Sequence, residues 1–479
     1  MGIERLIVRY MGKVAHNNNP EIRFTSRALT SAAILTVFLV ALLVRLAPTA
    51  AFHPTPISDF QGYQRLAEDW IANGYFGHSG AFAYRTPGYP AFLATIWRAT
   101  SPAPEVAALA QAILGALSSA LLALLGLQVL PLRAAVLAGM LFAFSVTSIA
   151  YVPLLASENL AVLFVVSGLL LVVLSHRRAM WYVPLCGAGA IFSLLLLTRP
   201  AALFFLPGWL LLVVWDPPRR RWRLHHAPLF LVVMVLVLLP WVERNQRVGL
   251  GAVLSTSGGM NLWMGNNDLA RLGGWQRSAL TLGDLPEAER DRAYRQQAIT
   301  WIRAHPRAYA KLCTTRARRL LGTEPDLMLA RHFFPTYEDD RAVVMAYHAQ
   351  RAGTVVPPEV AVHAAEFQQR NGSWLRAWRY VVAPLTLAGV IFSLWRWRAY
   401  AVAVLPAASY LLGLSLTYTE VRFRELSDPL LFVPLGGLLA MLASRLLESR
   451  GSAEGGDPIG AATSLRTTSS DLRAGRPKE

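Results

Sequence analysis

The sequence predicts an all-α polytopic membrane protein of about ten transmembrane helices, with amphipathic juxtamembrane helices and one large, mostly helical extracytoplasmic loop. Three observations predict it. The 479-residue chain is 54% hydrophobic with positive mean hydropathy, the composition of an integral membrane protein. Its apolar stretches recur at lengths that reach across a bilayer. Between them, basic short loops alternate with loops of a different character.

The spans fall at 28–50, 106–130, 134–156, 159–175, 179–198, 200–215, 227–243, 378–395, 399–418 and 429–445. The first is preceded by Arg5, Arg9, Lys13, Arg23 and Arg27, and no small-residue cleavage pattern follows it. Those charges hold the N-terminus in the cytoplasm. Every second loop is then cytoplasmic and basic. These loops carry Arg133, then Arg177 and Arg178, then Arg219 to Arg221 with Arg223, then Arg396 and Arg398, with Asp216 as their one carboxylate. The expected place is a bacterial-type cytoplasmic membrane, crossed many times, with both termini inside. The +17 net charge does not indicate nucleic acid, because it is dispersed over membrane-facing loops. Anionic lipid headgroups are the better partner. Cys186 lies in a span and Cys313 in an outer loop, so no disulfide joins them.

Three regions lie outside the spans. In the first outer loop, 51–105, Ser58 and Gln61 make a capping box. The helix behind it gathers Phe60, Tyr63, Leu66, Ala67, Trp70 and Ile71 on one side, as for a helix lying on the membrane surface. The second outer loop, 244–377, offers Asp284 with Glu287 as another capping box, a helix to Ala304, and a second helix after His305-Pro306. Residues 323–372 show little periodicity. The tail, 446–479, is rich in Gly, Ser, Thr and Arg and reads as disordered and cytoplasmic.

The alternation puts Asp59, Glu158, Arg199, Glu420, Arg422, Arg424 and Glu425 on the outer face. There Asp59 suits general-base work on an attacking hydroxyl. Equally, it suits the first turn of a helix through the dipole. Arg199, Arg422 and Arg424 suit phosphate binding, or simple anchoring at the interface. Glu158 either joins the site or caps the span that follows it.

Longer patterns then add a resemblance. The stretch from Ser58 to Leu93, which holds Asp59, Tyr63, Arg85 and Tyr89, resembles the first outer loop of polyprenyl-phosphate-dependent glycosyltransferases of the GT-C superfold. Protein O-mannosyltransferases and the lipid A aminoarabinose transferase are of this kind. Further pieces follow in the family's order. They are Ser157-Glu158-Asn159-Leu160, Thr198-Arg199-Pro200, the run from Pro240 to Asn245, the run from Gly258 to Asn267, and Arg422-Phe423-Arg424 before Asp428-Pro429. The resemblance makes residues 1–445 one catalytic membrane domain that includes both outer loops, with Asp59 as its catalytic carboxylate. It implies an inverting glycosyltransferase whose donor is a sugar on a polyprenyl phosphate. The acceptor hydroxyl or phosphate would belong to a cell-envelope glycan, lipid or protein. Arg199, Arg422 and Arg424 would hold the donor phosphate. Tyr63, Arg85, Tyr89, Glu158, Arg244, Asn245, Asn261 and Asn266 would line the pocket. No metal ligand set or cofactor is assigned, and a divalent metal stays open. Phe60 stands where the protein mannosyltransferases have Glu, which counts against a protein acceptor. A transporter or lipid-linked-sugar flippase is the alternative. Against it stand the polar residues at span ends and the absence of repeated halves.

Overall fold

The computed structural model describes residues 20–270 apart from 55, 57 and 79, residues 284–323 and 373–454, and a few isolated positions. Arg5, Arg9 and Lys13, most of the aperiodic 323–372 segment and the end of the tail lie outside the described residues. Seven described helices are long and apolar enough to cross a membrane, and three shorter apolar helices accompany them. They fall where the ten spans are expected.

Helix α1 (Pro20–Ala51) is followed by α2 (Ser58–Asn73), α3 (Gly88–Ala99) and α4 (Pro104–Gly126). Helix α2 forms where its apolar periodicity predicts, with two corrections. Ser58 begins the helix itself, at φ 53°, and does not stand ahead of it as a cap. Nor does the apolar side lie against lipid. Phe60, Tyr63 and Ala67 are buried against Tyr89, Leu93 and Trp97 of α3 and against Tyr151 and Leu154. Helix α3 gives α2 a protein surface to cover.

The expected third span is broken. Helix α5 (Leu132–Ala143) stops at Phe144, a short α6 (Val146–Ala150) follows, and a turn leads into α7 (Ser157–Ser175). Such a break exposes backbone carbonyls that a bilayer cannot hydrate. Buried side chains satisfy them. The Gln111 amide donates to the Val152 and Leu154 carbonyls at 2.8 and 2.6 Å, and Asn159 donates to Tyr151 at 3.0 Å. Arg45, fully buried in α1, donates to the carbonyls of Ala143 and Phe142 at 3.0 and 3.1 Å. Its cation stands at the negative end of the α5 dipole. A Cβ on Gly115 would come within 2.3 Å of the Arg45 Nε, so glycine is what lets the guanidinium pass.

Helix α8 (Tyr182–Thr198), a 3-10 turn (Pro200–Phe205) and α9 (Leu206–Val214) lead to a two-stranded hairpin, β1 (Trp215–Asp216) with β2 (Arg221–Trp222). Helices α10 (His226–Arg247) and α11 (Gly258–Gly265) follow, then α12 (Glu287–Ala304) and α13 (Pro306–Leu321) of the second loop. The helix ends at Ala304 and after Pro306 match the sequence reading. The Asp284 capping box does not form: α12 starts at Glu287. That carboxylate instead accepts from the backbone N–H groups of Phe82 and Ala83 and from the Thr256 hydroxyl, tying the two loops together. Helices α14 (Ser373–Trp395) and α15 (Trp397–Leu416), a 3-10 turn (Val421–Leu426) and α16 (Asp428–Glu454) complete the bundle. Helix α16 continues past 445, so the expected disordered tail begins as helix. Both cysteines are free thiols.

Candidate active site

The polar residues of alternate loops meet at one end of the bundle. Asp59 stands in the first turn of α2, and two guanidiniums clamp its carboxylate. Arg85 reaches Oδ1 at 2.6 Å from the turn before α3, and Arg422 reaches Oδ2 at 2.6 Å from the 3-10 turn before α16. The second contact joins positions 363 residues apart. Arg85 lies across Gly62, where a Cβ would sit 3.0 Å from its Nε, and packs over the Tyr63 ring. Burial alone would raise the Asp59 carboxyl; the guanidiniums of Arg85 and Arg422 overrule it and hold the group well below the usual carboxylate range.

Arg199 follows the last residue of α8 and approaches Glu158 of α7 to 2.7 Å. It also donates to the Ser157 hydroxyl at 3.0 Å, and that hydroxyl lies 3.3 Å from the Tyr63 hydroxyl. The Nε of Arg422 lies 2.7 Å from Glu420, whose carboxylate also accepts from the Tyr418 hydroxyl at 2.6 Å. Arg199 and Arg422 both stand on the Phe423 ring, at 5.1 and 5.5 Å from its centre. Two of these ion pairs are close without being aligned. Both Glu158 oxygens and one Glu420 oxygen are buried and accept no properly directed hydrogen bond, and the buried Arg422 Nε donates none. The Arg422 guanidinium thus keeps one donor unspent beside these carboxylates.

The other expected residues are placed elsewhere. Arg424 is buried and donates to both Asp428 oxygens, at 2.8 and 2.9 Å, and to the Leu320 carbonyl. Its fork is spent on holding α16 to α13, two residues from Arg422. Tyr89 is fully buried and donates to Gln111 at 2.7 Å, supporting the broken span. Arg244 donates to the carbonyls of Phe82 and Phe76, and Asn245 donates to Val253 at 2.8 Å. Asn266 donates to Leu262 and Thr417, while Asn261 is half-buried in α11. None of these four reaches the Asp59 cluster; Arg244, Asn245 and Asn266 fasten the loops around it. Sequence reading missed Gln111, Arg45 and Arg316, each buried and bonded to distant backbone. A lone polar residue inside an apolar or amphipathic run was their only signal. Among the described residues, no group of three or more His, Cys, Asp or Glu stands together as a metal ligand set.

Residues 85–242, about a third of the chain, match the family of dolichyl-phosphate-mannose-protein mannosyltransferases. The match contains Arg85, Tyr89, Glu158 and Arg199, and excludes Asp59 and Arg422. No curated protein matches the chain significantly. Among solved structures, the chain is similar to the archaeal oligosaccharyltransferase AglB from Archaeoglobus fulgidus, solved with an inhibitory peptide and a dolichol-phosphate. The identity is 15%, the TM-score 0.49, and coverage 92% of this chain and 53% of that one. It is also similar to ArnT from Cupriavidus metallidurans bound to undecaprenyl phosphate, at 14% identity and TM-score 0.35, covering 91% of this chain and 81% of that one. The chain thus spans about half the length of the oligosaccharyltransferase. The described residues thus form a polytopic helical bundle, within which residues 85–242 carry the family match.

Proposed function

We propose that this protein is an inverting glycosyltransferase that moves a sugar from a polyprenyl-phosphate carrier to an acceptor at the outer face of a membrane. One observation carries the reading. Asp59 and Arg422 meet at 2.6 Å with Arg85 and Arg199 beside them, at the end of a membrane bundle, where a lipid phosphate lies. The acceptor oxygen attacks the anomeric carbon from the side opposite the phosphate. The new carbon–oxygen bond forms as the bond to the phosphate oxygen breaks, and the configuration inverts. Asp59 takes the proton of the attacking hydroxyl. The bonding electrons leave on the phosphate, whose charge Arg199 and Arg422 stabilise with directed N–H groups. The family match to enzymes named for a lipid-phosphate sugar donor supports this choice.

The interrupted third span favours a second reading, a transporter or flippase, since broken helices mark transport sites. The freed carbonyls of Phe142, Ala143, Tyr151, Val152 and Leu154 are already bonded by Arg45, Asn159 and Gln111, so these groups are not open to coordinate a transported ion. Mass spectrometry of cell-envelope glycans from strains with and without the gene tests the enzyme. One sugar addition is expected to vanish in the deletion and to stay absent with Asp59→Asn. A glycan profile restored by Asp59→Asn contradicts catalysis and leaves transport. Cysteine labelling is expected to place positions 59, 158, 199 and 422 outside, and 133, 177, 220 and 397 inside.

A further inference from the structure

Asp59 faces a conflict of roles. A proton acceptor needs a free, basic oxygen, and both oxygens of Asp59 are held by guanidiniums at 2.6 Å. A carboxylate held that way is a weak base. One of those guanidiniums, Arg422, is also a proposed phosphate ligand. The ion pairs join three arginines, Arg85, Arg199 and Arg422, to three carboxylates, Asp59, Glu158 and Glu420, so these six groups are neutral together. A lipid phosphodiester adds a negative charge to a neutral, largely buried set. An added buried anion needs a cation, so one carboxylate must give up an arginine.

The three carboxylates differ in how easily they yield. The Glu158 side chain is only 3% exposed and, among the described residues, its ion pair is with Arg199, so separating them strands a buried charge. Glu420 is held by Arg422 and by the Tyr418 hydroxyl. Asp59 is the most exposed of the three, at 27%, and has two cations. If Arg422 leaves it, Arg85 still holds Oδ1 and only Oδ2 is released. The least costly exchange is therefore at the Asp59–Arg422 contact.

We infer that the donor phosphate takes Arg422 from Asp59, so that binding the lipid carrier is what frees the base. Without donor, Asp59 stays clamped and the site is idle toward acceptor hydroxyls or water. With donor, Oδ2 is released beside the phosphate that Arg422 now holds. Arg85 becomes a positioning residue that keeps Asp59 in place during the exchange. This rests on the lipid-phosphate reading of the site.

The inference makes an inverted demand: removing the proposed base should strengthen binding of the carrier, because Asp59 competes with phosphate for Arg422. Undecaprenyl phosphate without sugar is the probe, titrated onto the purified full chain in detergent. Asp59→Asn and Asp59→Ser are each expected to bind it about three- to tenfold tighter than wild type, and Arg422→Lys weaker. Equal or weaker binding by the folded Asp59 variants overturns the exchange. Failure of the wild type to bind the probe overturns the lipid-phosphate reading itself. For the wild type alone, the infrared difference spectrum on adding probe should carry the shift of an ionised carboxylate. A spectrum with no carboxylate change overturns the exchange even if no variant folds.

Discussion

Arg422 and Arg424 are separated by one residue on a single 3-10 turn, both are buried, and they do different things. Arg424 meets both oxygens of Asp428, four residues on, and caps the end of α13 through the Leu320 carbonyl. Arg422 meets carboxylates of two different segments, and its contact with Glu420 is close but misdirected. The same contrast separates whole regions. Around the second loop, Arg244, Arg316, Asn266 and Glu287 each make hydrogen bonds to backbone groups of distant segments. Around Asp59, cations and anions pair with one another and leave capacity over. Backbone-bonded polar groups hold a shape. Side chains that neutralise each other across distant elements can exchange a partner for a ligand.

The largest expected effect is at Asp59. Asp59→Asn should lower transfer by about 10²–10⁴-fold, the range for losing a positioned base, with normal membrane expression. Near wild-type transfer would leave Asp59 as a helix-terminus residue. Next comes the pair of arginines. Arg422→Lys should cost on the order of 10²-fold in transfer, because a point charge replaces a planar fork that stabilises a leaving phosphate. Arg424→Lys should leave transfer per folded molecule within about threefold and act on thermal stability instead. The reverse assignment would break the comparison between the two.

Smaller still is the effect on the loop fasteners. Arg316 is fully buried and donates to the carbonyls of Ser415 and Gly265, both at 2.7 Å. Arg316→Met should destabilise by about 3 kcal/mol by orphaning those carbonyls, with turnover of the remaining folded protein unchanged. Turnover that falls with stability intact would move Arg316 into the site. The smallest effect concerns pH. The Asp59 carboxyl is depressed in the folded protein, so its ion pairs stabilise fully above the unfolded value of about 4 and are lost only as pH falls through the lower folded value. The difference in melting temperature between wild type and Asp59→Asn should therefore be flat from about pH 8 to 5. A difference that shrinks across that window would mean a group titrating higher governs the contact.

Much of the fold was legible because its signals are local. Apolar length gave the crossings, and the periodicity of 58–73 and 287–321 gave the outer helices. The meeting of Asp59 with Arg422 followed from counting crossings, which needs no contact information. What stayed hidden depends on distant partners. The break at Phe144 is tolerated because Gln111 satisfies carbonyls 41 and 43 residues away. Glu287 reads as half of a capping box until Phe82, Ala83 and Thr256 are seen to claim it. Arg244, Asn245 and Asn266 sit in two of the runs that carry the resemblance, yet a motif does not say whether its donors face a ligand or a backbone. Residue type placed Arg424 beside Arg422; only geometry separates them.

The most direct test of the lipid-phosphate site supplies the purified protein with one radiolabelled sugar on two carriers, a polyprenyl phosphate and a nucleoside diphosphate. Transfer from the lipid-linked sugar alone is expected, since the proposed function has the arginine cluster meet the phosphate of a membrane lipid. Transfer from the nucleotide sugar with none from the lipid-linked one would contradict the assignment of Asp59, Arg199 and Arg422.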